Sequence, residues 1–104
     1  MTKSEVEFEL HMMGFANTFG RDFLVDACLL YAGGMHQMQD IIAKISENTG
    51  FGERNIYSKM TAALQTAWNN QERSPKIMYN TRVRPSLKKF IKLFVEQRMG
   101  EKQI

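Results

Sequence analysis

The stretch Thr49–Trp68, TGFGERNIYSKMTAALQTAW, decides how this chain is organised. Ile56, Met60, Ala63, Leu64 and Ala67 recur at intervals of three and four, which places them on one side of a helix. Arg54, Ser58, Thr61 and Gln65 fall on the opposite side and offer small hydrogen-bonding groups with little charge. Asn48-Thr49-Gly50-Phe51-Gly52 reads as the turn that introduces this helix, with Phe51 as an inward plug fixing the entry angle. A second amphipathic segment, about Met35 to Glu47, precedes the turn and keeps the helical period through Met35, Met38, Ile42 and Ile45, with Ile41 beside them.

Working outward, the rest of the chain also reads as helix. Ser4 and Glu7 form a capping-box pattern; Val6, Leu10 and Met13 then repeat at helical spacing up to Gly14. Phe15-Ala16-Asn17 is a short turn, with Asn17 or Thr18 as the next N-cap. From Gly20 to Tyr31 the stripe of Phe23, Leu24, Ala27, Leu30 and Tyr31 is widened by Val25, Cys28 and Leu29, as expected of a central helix, and Gly33-Gly34 ends it. Pro75 and Pro85 bracket a connector containing Ile77, Met78, Tyr79 and Val83, which could hold a turn of helix or an edge strand. Pro85 suits the start of a last helix, whose buried side is Leu87, Phe90, Ile91, Phe94 and Val95 and whose outer side carries Lys88 and Lys92. A frayed tail is expected from about Gly100. The expectation is one all-α domain spanning residues 1–104, a compact bundle of five or six helices with a helix–turn–helix at about 35–69 and Trp68 in or against the core.

Composition narrows the function classes. At 104 residues there is room for one core, and no apolar run approaches the roughly 20 residues of a membrane span. The acidic N-terminus MTKSEVEFEL lacks the basic start and apolar middle of a signal peptide. The single cysteine, Cys28, sits in an apolar run and reads as a core thiol. These features point to the cytoplasm. No glycine-rich phosphate loop, paired-cysteine motif or HExxH motif occurs. His11 and His36 have no second histidine at ligand spacing, and Asp22 and Asp26 read as decoration at the edge of a central helix. The eight methionines fall mostly at core positions. No enzyme activity, metal, cofactor or small-molecule substrate is therefore expected.

Charge is distributed unevenly. Residues 1–50 hold 3 basic and 7 acidic side chains, whereas residues 51–104 hold 11 basic and 4 acidic. Arg73, Lys76, Arg82, Arg84, Lys88, Lys89 and Lys92 form a run without an acid. Such a bipolar domain can steer a polyanion onto one end. A tight glycine-containing turn between two amphipathic helices, the second with a polar outer face, is the pattern of a helix that enters a major groove. A solvated basic face on an ordinary helical bundle is the simpler alternative.

Three segments resemble one known family. LHMMGF (Leu10–Phe15) is similar to a family helix ending in Ile-Gly-Val, ALQTAW (Ala63–Trp68) to the family's AIEVAW, and KKFIKLFVEQ (Lys88–Gln97) to a late family helix. The family is the C-terminal DNA-binding effector domain of the master sporulation response regulator of spore-forming bacteria. The resemblance covers roughly residues 8–98 and runs without gaps from Ile41 to Trp68. It implies a compact all-helical domain that binds double-stranded DNA through the helix that ends at Trp68. The family's DNA-facing acid and two arginines fall on Tyr57, Ser58 and Thr61, so none of the three is kept. An arginine reads guanine with two hydrogen bonds, each such pair giving about 1–3 kcal/mol of discrimination that serine or threonine cannot match. Nothing here resembles the family's phosphorylated receiver domain, so the chain is expected to be an excised domain or a stand-alone relative.

The expected role is that of a cytoplasmic DNA-binding transcription regulator of response-regulator effector type, linked by the resemblance to sporulation. The base-contact candidates are Arg54, Tyr57, Ser58, Thr61 and Gln65; the phosphate-contact candidates are Lys59, Arg82, Arg84, Lys88 and Lys92. A homodimer on DNA is compatible with this reading. The alternative is a non-catalytic protein-interaction module that keeps the fold without DNA readout.

Overall fold

In a computed structural model that describes residues 1–70 and 83–102, the backbone forms five α-helices: α1 Lys3–Met12, α2 Phe19–Ala32, α3 Met38–Thr49, α4 Glu53–Asn69 and α5 Leu87–Lys102. No strand occurs among the described residues. The expected connector element at Ile77, Met78 and Tyr79 lies outside them, as do Arg73, Lys76 and Arg82.

The helix starts follow from short-range capping. The capping box of α1 is formed by Thr2 and Glu5, not by Ser4 and Glu7: Thr2 Oγ1 accepts from the Glu5 amide and the Glu5 carboxylate accepts from the Thr2 amide, both at 3.2 Å. TKSE and SEVE both carry the spacing, and the earlier box starts the helix two positions sooner, at Lys3. Thr18 caps α2 through Oγ1, which accepts from the Arg21 amide at 3.3 Å. Ser86 caps α5, accepting from Lys89 and Phe90; Pro85 therefore precedes the cap instead of opening the helix. The backbone of α5 stays helical past Gly100, to Lys102.

α3 begins at Met38, later than the periodicity from Met35 suggests. Gly34 has φ 111°, its amide donates to Tyr31 O, and the Met35 amide donates back to Leu30 O. Met35 is thus held in a Schellman closure of α2 and cannot start the next helix. At its other end α3 runs through Thr49, so the turn to α4 is only Gly50-Phe51-Gly52. Gly50 sits at φ 82°, a conformation that strains any residue with a Cβ. The turn is pinned by Ser46 Oγ donating to Phe51 O at 2.6 Å and by the Phe51 amide donating to Thr49 Oγ1 at 3.3 Å. Phe51 points inward as expected, with its ring 5.3 Å from that of Phe23 and 5.4 Å from that of Phe19.

α2 lies against each of the other four helices. This agrees with its near-continuous apolar surface, of which Phe23, Leu24, Val25, Ala27 and Cys28 are buried. Ile56, Met60, Leu64 and Ala67 of α4 and Leu87, Phe90, Ile91, Phe94 and Val95 of α5 complete the core. Phe15, read from sequence as part of a turn, is buried, with its ring 5.7 Å from that of Phe90. It follows the Schellman closure of α1, where the Phe15 amide donates to Leu10 O, and such closures carry an apolar contact at this position. Arg98 joins α5 to α1: it donates to the Glu9 carboxylate at 2.7 Å while stacking 4.2 Å from the Phe94 ring centroid.

Cys28 is a core thiol; burial pushes its pKa up to about 12, which keeps it protonated and unreactive at neutral pH. Burial also pushes the half-buried Asp26 carboxyl above its ordinary range, with the Lys3 ammonium opposing and the Asp22 carboxylate adding to the shift. A raised native pKa favours the protonated form, so this contribution to stability is present below the unfolded pKa and lost as pH rises through the native one. Asp26→Asn is therefore expected to raise the melting temperature at neutral pH. The gain should vanish in a titration carried below the ordinary carboxylate range; a gain that persists there would point to a packing effect.

Candidate nucleic-acid interface

α4 is held by its apolar side, and what it leaves outward follows from how it crosses α2. At Gly20 the two helices come so close that an added Cβ would lie 2.3 Å from the Lys59 carbonyl oxygen and 2.9 Å from Ala63 Cβ. This contact, with Phe51 beneath the turn, fixes the rotation of α4 about its axis.

Arg54, Ser58 and Gln65 are exposed, as expected. At about 100° per residue they fall in a narrow sector of the helix surface. Asn69 and Ala62 extend that sector; Gln65 Nε2 donates to Asn69 Oδ1 at 3.1 Å. Asn69 was not singled out from sequence, although its place four residues after Gln65 predicts the contact. Thr61 departs from expectation: its Oγ1 is buried and has no hydrogen-bond partner among the described residues. It lies at the edge of the sector nearest Trp68, and its hydroxyl is not presented outward. Tyr57, on the same edge one turn earlier, is 51% exposed. The helix opens at Gly52, which supplies no side-chain cap to its first-turn amides.

The basic candidates divide into three groups. Lys59 is half-buried on the opposite edge of α4, with its ammonium 6.0 Å from the Phe19 ring centroid. Arg84 is half-buried before α5 and donates to Pro85 O at 3.4 Å. Lys88 and Lys92 are exposed on α5, away from its buried stripe. Among the described residues no ion pair neutralises Lys59, Lys88 or Lys92. Arg82 lies outside the described residues. α5 packs chiefly on α2 and only lightly on α4.

Beside the outer face of α4 lies a groove of about 450 Å³, lined by Ala16, Thr18, Phe19, Gly20, Lys59, Ala62, Ala63 and Thr66. Sequence reading did not find it, because its two walls are distant in the chain and meet only through the Gly20 crossing. Phe19, 57% exposed on its rim, is the first residue after the Thr18 cap and extends the Phe23 side of α2 outward, its ring 6.5 Å from that of Phe23.

Neither histidine has a ligand-like setting. His11 is exposed and the His36 ring lies 4.4 Å from that of Tyr31. No group of three His, Cys, Asp or Glu among the described residues could hold a metal ion, and no described helix is long and apolar enough to cross a membrane. No family model, curated protein or solved structure matches the chain, so the functional reading rests on the geometry of α4 and its surroundings.

Proposed function

We propose that this protein is a DNA-binding transcription regulator that lays α4 in the major groove of duplex DNA, with α3 and α4 acting as a helix–turn–helix. The observation that carries this reading is the outward face of α4, where Arg54, Ser58, Gln65 and Asn69 are exposed together on a helix whose entry is pinned by a three-residue turn. Serine, glutamine and asparagine can donate to or accept from base edges, and Arg54 near the helix entrance can take a phosphate or a guanine. The likeness of three segments to the sporulation regulator's effector domain supports the same role, and the composition supports a cytoplasmic location for it. The missing arginines imply modest sequence specificity.

The test is selection from a random duplex pool at two salt concentrations, with enrichment read by sequencing. Wild type should enrich a short motif. Ser58→Arg should bind more tightly and shift enrichment toward guanine, by up to about 1–3 kcal/mol for one bidentate pair. Lys88→Ala should weaken binding on all sequences alike and reduce the log–log salt slope by about 0.9 if Lys88 meets a phosphate. A wild type that enriches nothing and binds no more tightly than its variants would remove α4 as a reader. The exposed ring of Tyr57 favours the second reading in that case: a helical protein-interaction module that uses this edge of α4.

A further inference from the structure

We infer that the groove between the α1–α2 turn and the flank of α4 seats one sugar–phosphate strand of the duplex, so that residues far from the helix–turn–helix form part of the DNA interface. The inference rests on α4 facing the major groove. A strand bordering that groove must then pass beside one edge of α4, and the two edges differ in chemistry. One carries Tyr57 and the buried Thr61 hydroxyl. The other opens directly into the groove through Ala62 and Thr66, which share the exposed outer surface with Ser58 and Gln65.

Three properties of this groove suit a polyanionic strand. Its lining includes one cation, Lys59, and no carboxylate; Asp22 and Glu53, acids close in sequence, are not among the lining residues. The Lys59 charge is unneutralised among the described residues, and its ammonium stays near the rim at 6.0 Å from the Phe19 ring. One glycine and three alanines in the lining let a bulky backbone approach closely, and Thr18, whose hydroxyl also caps α2, and Thr66 are the hydroxyl-bearing residues of the lining. The exposed Phe19 ring offers an apolar surface for a deoxyribose. Ala16, on the far wall, is exposed and thus a contact point contributed by the α1–α2 turn.

The test measures binding of the full chain to a random-sequence duplex as a function of salt, for wild type, Lys59→Gln, Ala16→Glu and Ser4→Glu. Lys59→Gln keeps most of the stem that packs near Phe19 while removing the charge. Ala16→Glu and Ser4→Glu make the same change in net charge at two exposed positions, only the first of which is in the groove. Lys59→Gln should reduce the magnitude of the salt slope by about 0.9, the loss of one phosphate contact. Ala16→Glu should weaken binding about five- to tenfold at low salt, as expected for one carboxylate set against nearby phosphates, and clearly more than Ser4→Glu. Melting curves verify that each variant is folded. If wild type binds duplex but Ala16→Glu and Ser4→Glu weaken it equally and the slope of Lys59→Gln is unchanged, the groove is not part of the interface and the reading of α4 stands. If wild type binds no duplex even at low salt, both fall together.

Discussion

Trp68→Ala is expected to destabilise the protein by about 3–5 kcal/mol, the range for removing a buried large aromatic side chain. Trp68 ends the apolar stripe of α4 and is 6% exposed. Its truncation would leave a void beside the last turn of α4, which ends at Asn69. Small domains have about 5–15 kcal/mol in total, so the variant should lie close to its unfolding threshold at physiological temperature. The measurement is urea unfolding followed by circular dichroism, because the substitution removes the only tryptophan in the chain. Trp68→Phe should recover more than half of the loss, which would assign the effect to filled volume. A loss well under 1 kcal/mol for the alanine variant would mean that the indole covers the core without packing into it.

The fold was legible because its helices are amphipathic and the first four are separated by glycine. The apolar stripes of α2, α4 and α5 and the burial of Trp68 follow from spacing, and the inward Phe51 from its place in a short turn between two amphipathic helices. The errors arose where two local signals competed. Thr2 and Ser4 both offer a capping box, and Met35 fits both the period of α3 and the closure of α2. Phe15 looked like a turn residue because a Schellman closure takes its apolar contact from beyond the helix. The candidate interface was legible only along α4. A helical wheel groups Thr61 with Ser58 and Gln65, yet whether a residue at the edge of that sector is covered depends on neighbours from elsewhere in the chain. The groove could not be read at all: Ala16 and Thr18 carry no local mark that they will stand across from Ala62 and Thr66.

What brings those walls together is Gly20, and its replacement separates two effects that usually act in one direction. In a helix interior, alanine is better than glycine by about 1 kcal/mol, so Gly→Ala on a free surface should stabilise. At Gly33 an added Cβ would meet the Leu29 and Leu30 carbonyl oxygens at 3.5 Å, an ordinary contact, and Gly33→Ala is expected to be neutral or mildly stabilising. At Gly20 the added Cβ would lie 2.3 Å from the Lys59 carbonyl oxygen and 3.0 Å from the Lys59 carbonyl carbon. Those are backbone atoms of α4 and cannot rotate away, so α2 and α4 must move apart by roughly 1 Å to reach van der Waals contact. Overpacking of this kind, backbone shifts included, costs about 1–3 kcal/mol. The steric cost offsets the propensity gain and exceeds it, and Gly20→Ala should lose up to about 2 kcal/mol net by the same estimate. Ala63 Cβ, at 2.9 Å, is the other close neighbour. Gly20→Ala combined with Ala63→Gly therefore tells a side-chain clash from a backbone one: the second change removes the methyl but leaves the Lys59 carbonyl in place. The double variant should remain at least as unstable as Gly20→Ala, because Ala63→Gly also weakens α4 as a helix. Chemical denaturation of the three proteins measures this directly, and full recovery in the double variant would show that the crossing is limited by the Ala63 methyl instead of by the backbone of α4.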